Sequence, residues 1–201
     1  MGVKLLKWSL IAIVLFAGFS CDEEETKPKI ELQTITINAK SYSTWVYFSF
    51  DKDTVVQITD FANSTEWDLG FIRNHVRTNG GKSGKGKGGV VDAGAVSFES
   101  LKEAQADGYV VDDSIGISDP ADPTHANMIK TPGSAVLEGW GTMNTNVMPP
   151  VFTPSNKIYF IKTAAGKYAK VWFKSYYSAE GASGYITLNY IYLSDGSKSF
   201  E

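Results

Sequence analysis

An all-β fold is predicted for this 201-residue chain: an antiparallel sheet with one short helix and one long irregular excursion. Three features predict it. Aromatic residues make up 13% of the chain, including ten Tyr and five Trp, and they favour pleated, half-buried surfaces. Apolar and polar residues alternate with period two over most of the sequence beyond Lys29, the signature of a strand with one buried face. Clusters of Gly, Asn, Asp and Pro punctuate those runs and supply the turns.

Taken in order, "IELQTITI" (residues 30–37) largely alternates and reads as the first strand. "WVYFSF" and "TVVQIT" flank "DKD", a hairpin pattern. "EWDLGFIRNHVRTN" sets Trp67, Leu69 and Phe71 against Asp68, Gly70 and Ile72, and reads as a strand running into "GGKSGKGKGG". "GGVVDAGAVSF" resumes the strand pattern beyond it. Ser100 and Glu103 form a capping box at the head of "SLKEAQ", and Gly108 can end the segment, so a short helix is expected over residues 100–108. Residues 112–156 lose regularity. They are rich in Asp, Pro, Gly, Asn and Thr but hold Val136, Leu137 and Trp140, too apolar for a linker, and read as an ordered excursion from the sheet. "KIYFIKT", "KYAKVWFKSYY" and "YITLNYIYLSD" then read as three antiparallel strands.

The N-terminus is a processing signal. Lys4 and Lys7 precede an apolar run over residues 8–19, too short to span a bilayer comfortably, and Ser20 stands before Cys21, the only cysteine. The pattern resembles a bacterial lipoprotein signal, although Gly18 replaces the usual leucine. It divides the chain into a signal peptide (1–20), an acidic tether after a lipidated Cys21 (21–29) and a β domain (30–201). The run "CDEEE" looks like the acidic export signal of Bacteroidetes surface lipoproteins. Removing Lys4 and Lys7 takes the net charge from −3 to −5, which suits neither nucleic acid nor an anionic membrane. A lone cysteine excludes a disulfide framework.

The glycine-rich stretch resembles a phosphate loop only superficially. Gly81, Gly86 and Lys87 fall in register, but Gly88 stands where Ser or Thr is required, and a strand pattern follows instead of a helix. It reads as a mobile connector kept soluble by Lys82, Lys85 and Lys87. Two histidines, His75 and His125, without a second cysteine do not support a tetrahedral zinc site. No Gly-x-Ser-x-Gly elbow occurs, and Asp112 beside Asp113 reads as a solvated turn pair. Nothing here points to an enzyme.

One distribution stands out. Apart from Met1, every methionine lies in the irregular segment: Met128, Met143 and Met148. Thioether sulfur is a soft ligand suited to haem iron or copper(I); methionine also fills gaps in cores.

From about Thr44 to the C-terminus the chain resembles the HmuY-type haem-binding lipoproteins of Bacteroidetes. The likeness is carried by "WVYFSFDKDTVV", the Trp-Asp-Leu…Arg…Thr-Asn-Gly-Gly pattern and "IYFIKTAAGKYAKVWFKSYY". It implies a hand-shaped all-β protein that holds haem b between a thumb and fingers by two axial side chains, histidines in some members and methionines in others. It implies a haemophore, lipid-anchored at the outer membrane or released from it. Such a protein takes haem from host haemoproteins or the surroundings and passes it to a TonB-dependent receptor. Carried onto this sequence, Met128 and Met148 are the expected axial pair, with Met143 and His125 as alternates, and Trp140 and Val147 as candidates to pack the porphyrin. A surface β module that binds glycan or protein through exposed aromatics is the alternative.

Overall fold

The computed structural model describes residues 1–2 and 30–201; the expected signal segment, Cys21 and the acidic tether lie outside the described residues. Two antiparallel sheets make the body. The larger has the order β1 (Gln33–Asn38), β13 (Ser183–Leu193), β12 (Tyr168–Tyr177), β11 (Ile158–Lys162) and β6 (Gly89–Gly94). The smaller has the order β3 (Thr54–Val56), β2 (Val46–Ser49), β4 (Leu69–Ile72) and β5 (His75–Thr78). The first strand, the β2–β3 hairpin and the three C-terminal strands fall where the alternation predicts them.

Residues from both sheets meet in one core. Phe48, Leu69 and Phe71 from the smaller sheet pack with Val171, Phe173 and Leu188 from the larger. Each such side chain withdrawn from water stabilises the fold by about 1.5–3 kcal/mol. The outer face of the large sheet is covered too. There Phe160, Tyr168, Leu193 and Phe200 form a second cluster, so β12 is buried on both faces over its first half and carries Lys170 indoors.

That lysine explains one departure from expectation. Lys170 Nζ donates to the carbonyls of Phe98 (2.9 Å) and Leu101 (2.8 Å). Ala104 and Phe200 exchange backbone bonds with Lys198 and Lys102. The segment expected to be helical is therefore a 3-10 turn, Phe98–Ser100, followed by extended chain. Tertiary partners for its carbonyls outweigh a local capping signal.

"EWDLGFIRNHVRTN" is likewise not one strand but the β4–β5 hairpin, turning at Arg73 with φ 50°. The glycine-rich stretch is packed rather than a free connector. Asn79 Nδ2 donates to Ser64 O (2.9 Å) and Trp67 O (2.8 Å), and its Oδ1 accepts from Gly86 N (3.1 Å). Gly81 has φ +57°, and a Cβ there would overlap the Asp112 carbonyl oxygen. Asp112 is buried rather than solvated: its carboxylate accepts from Thr78 N (2.8 Å), Thr78 Oγ1 (2.7 Å) and Ser83 Oγ (2.6 Å).

Burial pushes Asp112 up to about 6 from the ordinary 3.8, against the opposing pull of Ser83, Thr78 and Arg77. A folded-state value above the unfolded one means that the folded chain binds this proton more tightly. The resulting stability is fully present below about pH 4 and is lost as pH rises through about 6. The melting temperature relative to Asp112→Asn is expected to decline over that interval; a difference independent of pH would contradict it.

The excursion over residues 112–156 is regular. It forms two ribbons, β7 (Asp113–Ser118) with β8 (Met128–Gly133), and β9 (Gly141–Asn144) with β10 (Val151–Pro154). A 3-10 turn, Leu137–Trp140, links them and sinks Leu137 and Trp140 into the core.

Candidate functional site

The two ribbons flank a cleft of about 460 Å³, within the range of small-molecule sites. Its floor is the β4–β5 turn (Ile72, Arg73, Asn74, His75) with Tyr42, Tyr176 and Ser183. One wall is the end of the β7–β8 ribbon, through Ile117, Ser118 and His125; the other is the β9–β10 ribbon, through Met143, Thr145, Pro149 and Pro150.

The walls carry all four candidate ligands, two on each. Met128 opens β8 directly across from Ser118, and His125 lies in the loop before it. Met143 is in β9, and Met148 precedes Pro149 in the loop between β9 and β10. Met143 and His125 line the cleft itself. Met128 and Met148 stand beside lining residues and are 60% and 88% exposed. The gap-filling role of methionine therefore does not apply to them. Val147 is exposed on the same loop as Met148, and Ile129 and Val151 add further exposed apolar surface to the two ribbons. Trp140 is not available to a ligand. It is 1% exposed, stacks on Phe173 with centroids 5.0 Å apart, and donates from Nε1 to Asn74 O at 2.7 Å. It supports the floor from beneath.

The floor is polar and bears positive charge. The Arg73 guanidinium lies 4.5 Å from the Tyr42 ring centroid and 5.5 Å from that of Tyr176. Its Nη1 donates to Lys40 O (3.0 Å), and its Nη2 to Ser183 Oγ (2.9 Å). His125 stacks on the opposite partner, Tyr42, with centroids 3.8 Å apart. His75 Nδ1 meets Glu138 Oε2 at 2.9 Å. Among the described residues, no Asp or Glu lines the cleft. Burial pushes the Tyr176 hydroxyl up to about 12, so it stays neutral at ordinary pH. Sequence reading located the four candidate ligands but missed Tyr42, Arg73 and Tyr176. Arg73 sits in a turn hidden within an apparent strand, and Tyr42 and Tyr176 reach it only through the tertiary fold.

The family model for the HmuY protein matches residues 41–190. The chain belongs to the HmuY family. The match covers both ribbons of this HmuY-family chain and the shared core except Ile37 and Ala39 at its N-terminal side. Solved structures agree. A crystal structure described as an HmuY-like haem-binding protein from Bacteroides vulgatus is 30% identical, covering 81% of this chain and 92% of that one at a TM-score of 0.63. A lipoprotein structure from Bacteroides fragilis is 25% identical, covering 81% and 89% at a TM-score of 0.64. The apo HmuY analogue of Tannerella forsythia, 19% identical, covers 84% and 99% at a TM-score of 0.64 and shares the fold. No curated protein sequence matches the chain.

Proposed function

We propose that this HmuY-family protein is a haem-binding lipoprotein, a binding protein rather than a catalyst. The observation that carries the reading is the cleft: Met143 and His125 line it from opposite ribbons, and the same ribbons expose the apolar side chains Met128, Ile129, Val147, Met148 and Val151 to solvent beside it. Membership of the HmuY family and the likeness to a haem-binding relative support it. The residues fit the group. An iron porphyrin needs apolar contact for its ring, a side chain on each side for its metal, and polar partners for its carboxylates; walls and floor supply all three. Met128 from β8 and Met148 from the β9–β10 loop would hold haem b, with His125 and Met143 as the second choice on each wall. Haem bound between two thioethers would favour the ferrous state, because soft ligation raises the reduction potential. The lipidated Cys21 would fix the body to the outer membrane, facing outward, and a TonB-dependent receptor would take the haem from it.

Titration of the mature protein with haemin, oxidised and dithionite-reduced, tests the reading. A saturable low-spin spectrum, stronger after reduction, is expected. A spectrum that only sums free haem and protein would end it, and saturable glycan binding without a haem spectrum would support the glycan-binding alternative.

A further inference from the structure

The inner end of the cleft holds more donor capacity than the protein uses. Arg73 is fixed there by its turn, whose N–H donates to Ala39 O at 2.8 Å. Its guanidinium bonds only neutral oxygens, those of Lys40 and Ser183. Five donors in a rigid fork leave part of that fork open, and none of the ion pairs among the described residues involves Arg73. Tyr176, from β12, also lines the cleft at 1% exposure, and its buried hydroxyl has no hydrogen-bond partner. His125 Nδ1, from the β7–β8 loop, is a second buried polar atom without a partner.

Buried polar atoms in native folds are normally satisfied. Here two of them, with a guanidinium that has no ion-pair partner among the described residues, come from three separate elements around one cleft whose described lining holds no carboxylate. A cation would be repelled by Arg73, and a purely apolar guest would leave these groups unmet. A carboxylate answers them: it accepts from the guanidinium fork and from a neutral phenol.

We propose that Arg73 and Tyr176 anchor a carboxylate of the tetrapyrrole, so that the acidic edge of the ring enters the cleft first and its orientation is set before the walls engage the metal. This assignment rests on the haem reading above and adds a selection rule: the site discriminates free-acid porphyrins from their esters.

The experiment compares iron protoporphyrin IX with its dimethyl ester, by quenching of tryptophan fluorescence, in wild type, Tyr176→Phe, Arg73→Lys and Arg73→Gln. Wild type is expected to bind the diacid about tenfold more tightly than the diester. Tyr176→Phe and Arg73→Gln bring that ratio toward one by weakening the diacid alone, while Arg73→Lys keeps part of it. The absorption bands that report axial ligation persist in all four. Because Tyr176→Phe removes an unsatisfied buried hydroxyl and keeps the ring, it melts no lower than wild type while binding the diacid less well; a merely structural role would produce the opposite pairing. Equal affinities for diacid and diester in wild type, or a ratio unchanged in Tyr176→Phe, would overturn the assignment. Failure to bind either porphyrin would instead remove the haem reading on which it stands.

Discussion

Haemin added to protein carrying Met128→Ala together with Met148→Ala is expected to give a spectrum without low-spin bands and an affinity lower by at least about 100-fold. The magnitude follows from how metal sites respond to smaller insults. Loss of a group that merely orients a ligand already weakens binding by about 10–100-fold, and here the sulfurs proposed to ligate would themselves go. The same double substitution is expected to leave the melting temperature of the haem-free protein almost unmoved. Both side chains are largely exposed, and such surface changes fall within about 0.5 kcal/mol. Affinity lost without stability lost is the signature to look for. Retention of the bands would move the assignment to Met143 and His125, which line the cleft. The single substitutions Met143→Ala and His125→Ala then tell which wall was misread.

The largest effect on stability is expected far from those sulfurs, at Asn79. Its side chain satisfies the buried Trp67 carbonyl, the part-buried Ser64 carbonyl and the part-buried Gly86 amide, tying the glycine-rich loop to the segment before β4. Asn79→Ala leaves all three without partners and opens a void where the amide sat. Each unsatisfied buried group costs about 1–3 kcal/mol, so a total of about 3–5 kcal/mol is expected, at the extreme of single substitutions. For a domain of this size that corresponds to a fall of about 10 °C or more in melting temperature. Thermal denaturation checks it, and a fall of only a degree or two would show that the loop contributes little.

Much of the scaffold could be read directly from the residues. In β13 buried and half-buried residues alternate, β11 and the first half of β12 are short apolar runs rich in aromatic and β-branched residues, and the intervening turns carry Gly166 and Gly181 at positive φ. The two ribbons were hidden for a physical reason. Strands that project from the body bury little, so their residues need not alternate strongly; β8 even contains Pro132 and Gly133. The alternation of Ile115 and Ile117, both buried, was the one available signal. The expected helix failed because a capping box speaks only for its own few residues, whereas Lys170 and the C-terminal strand segment compete for the same backbone groups. Trp140 misled in another way. Its setting among Gly and Asn resembled a loop, but the 3-10 turn folds it inward. The methionines drew notice in the sequence because thioethers are scarce and clustered here. The floor was not, because its charge and its orphan hydroxyl meet only once β4, β5 and β12 have assembled.

The clamp on Asp112 has a further consequence. Gly81 lies against the backbone of Asp112, Lys82 N bonds its carbonyl at 3.0 Å, and Ser83 bonds its carboxylate, all one residue before the β7–β8 ribbon begins. What keeps that ribbon in position is thus the glycine-rich loop, while the exposed side chains at its far end, such as Met128, contribute little to folding. Substitutions at Met128 and Met148 can therefore change the chemistry of the ribbon ends without disturbing the loop that positions the ribbon.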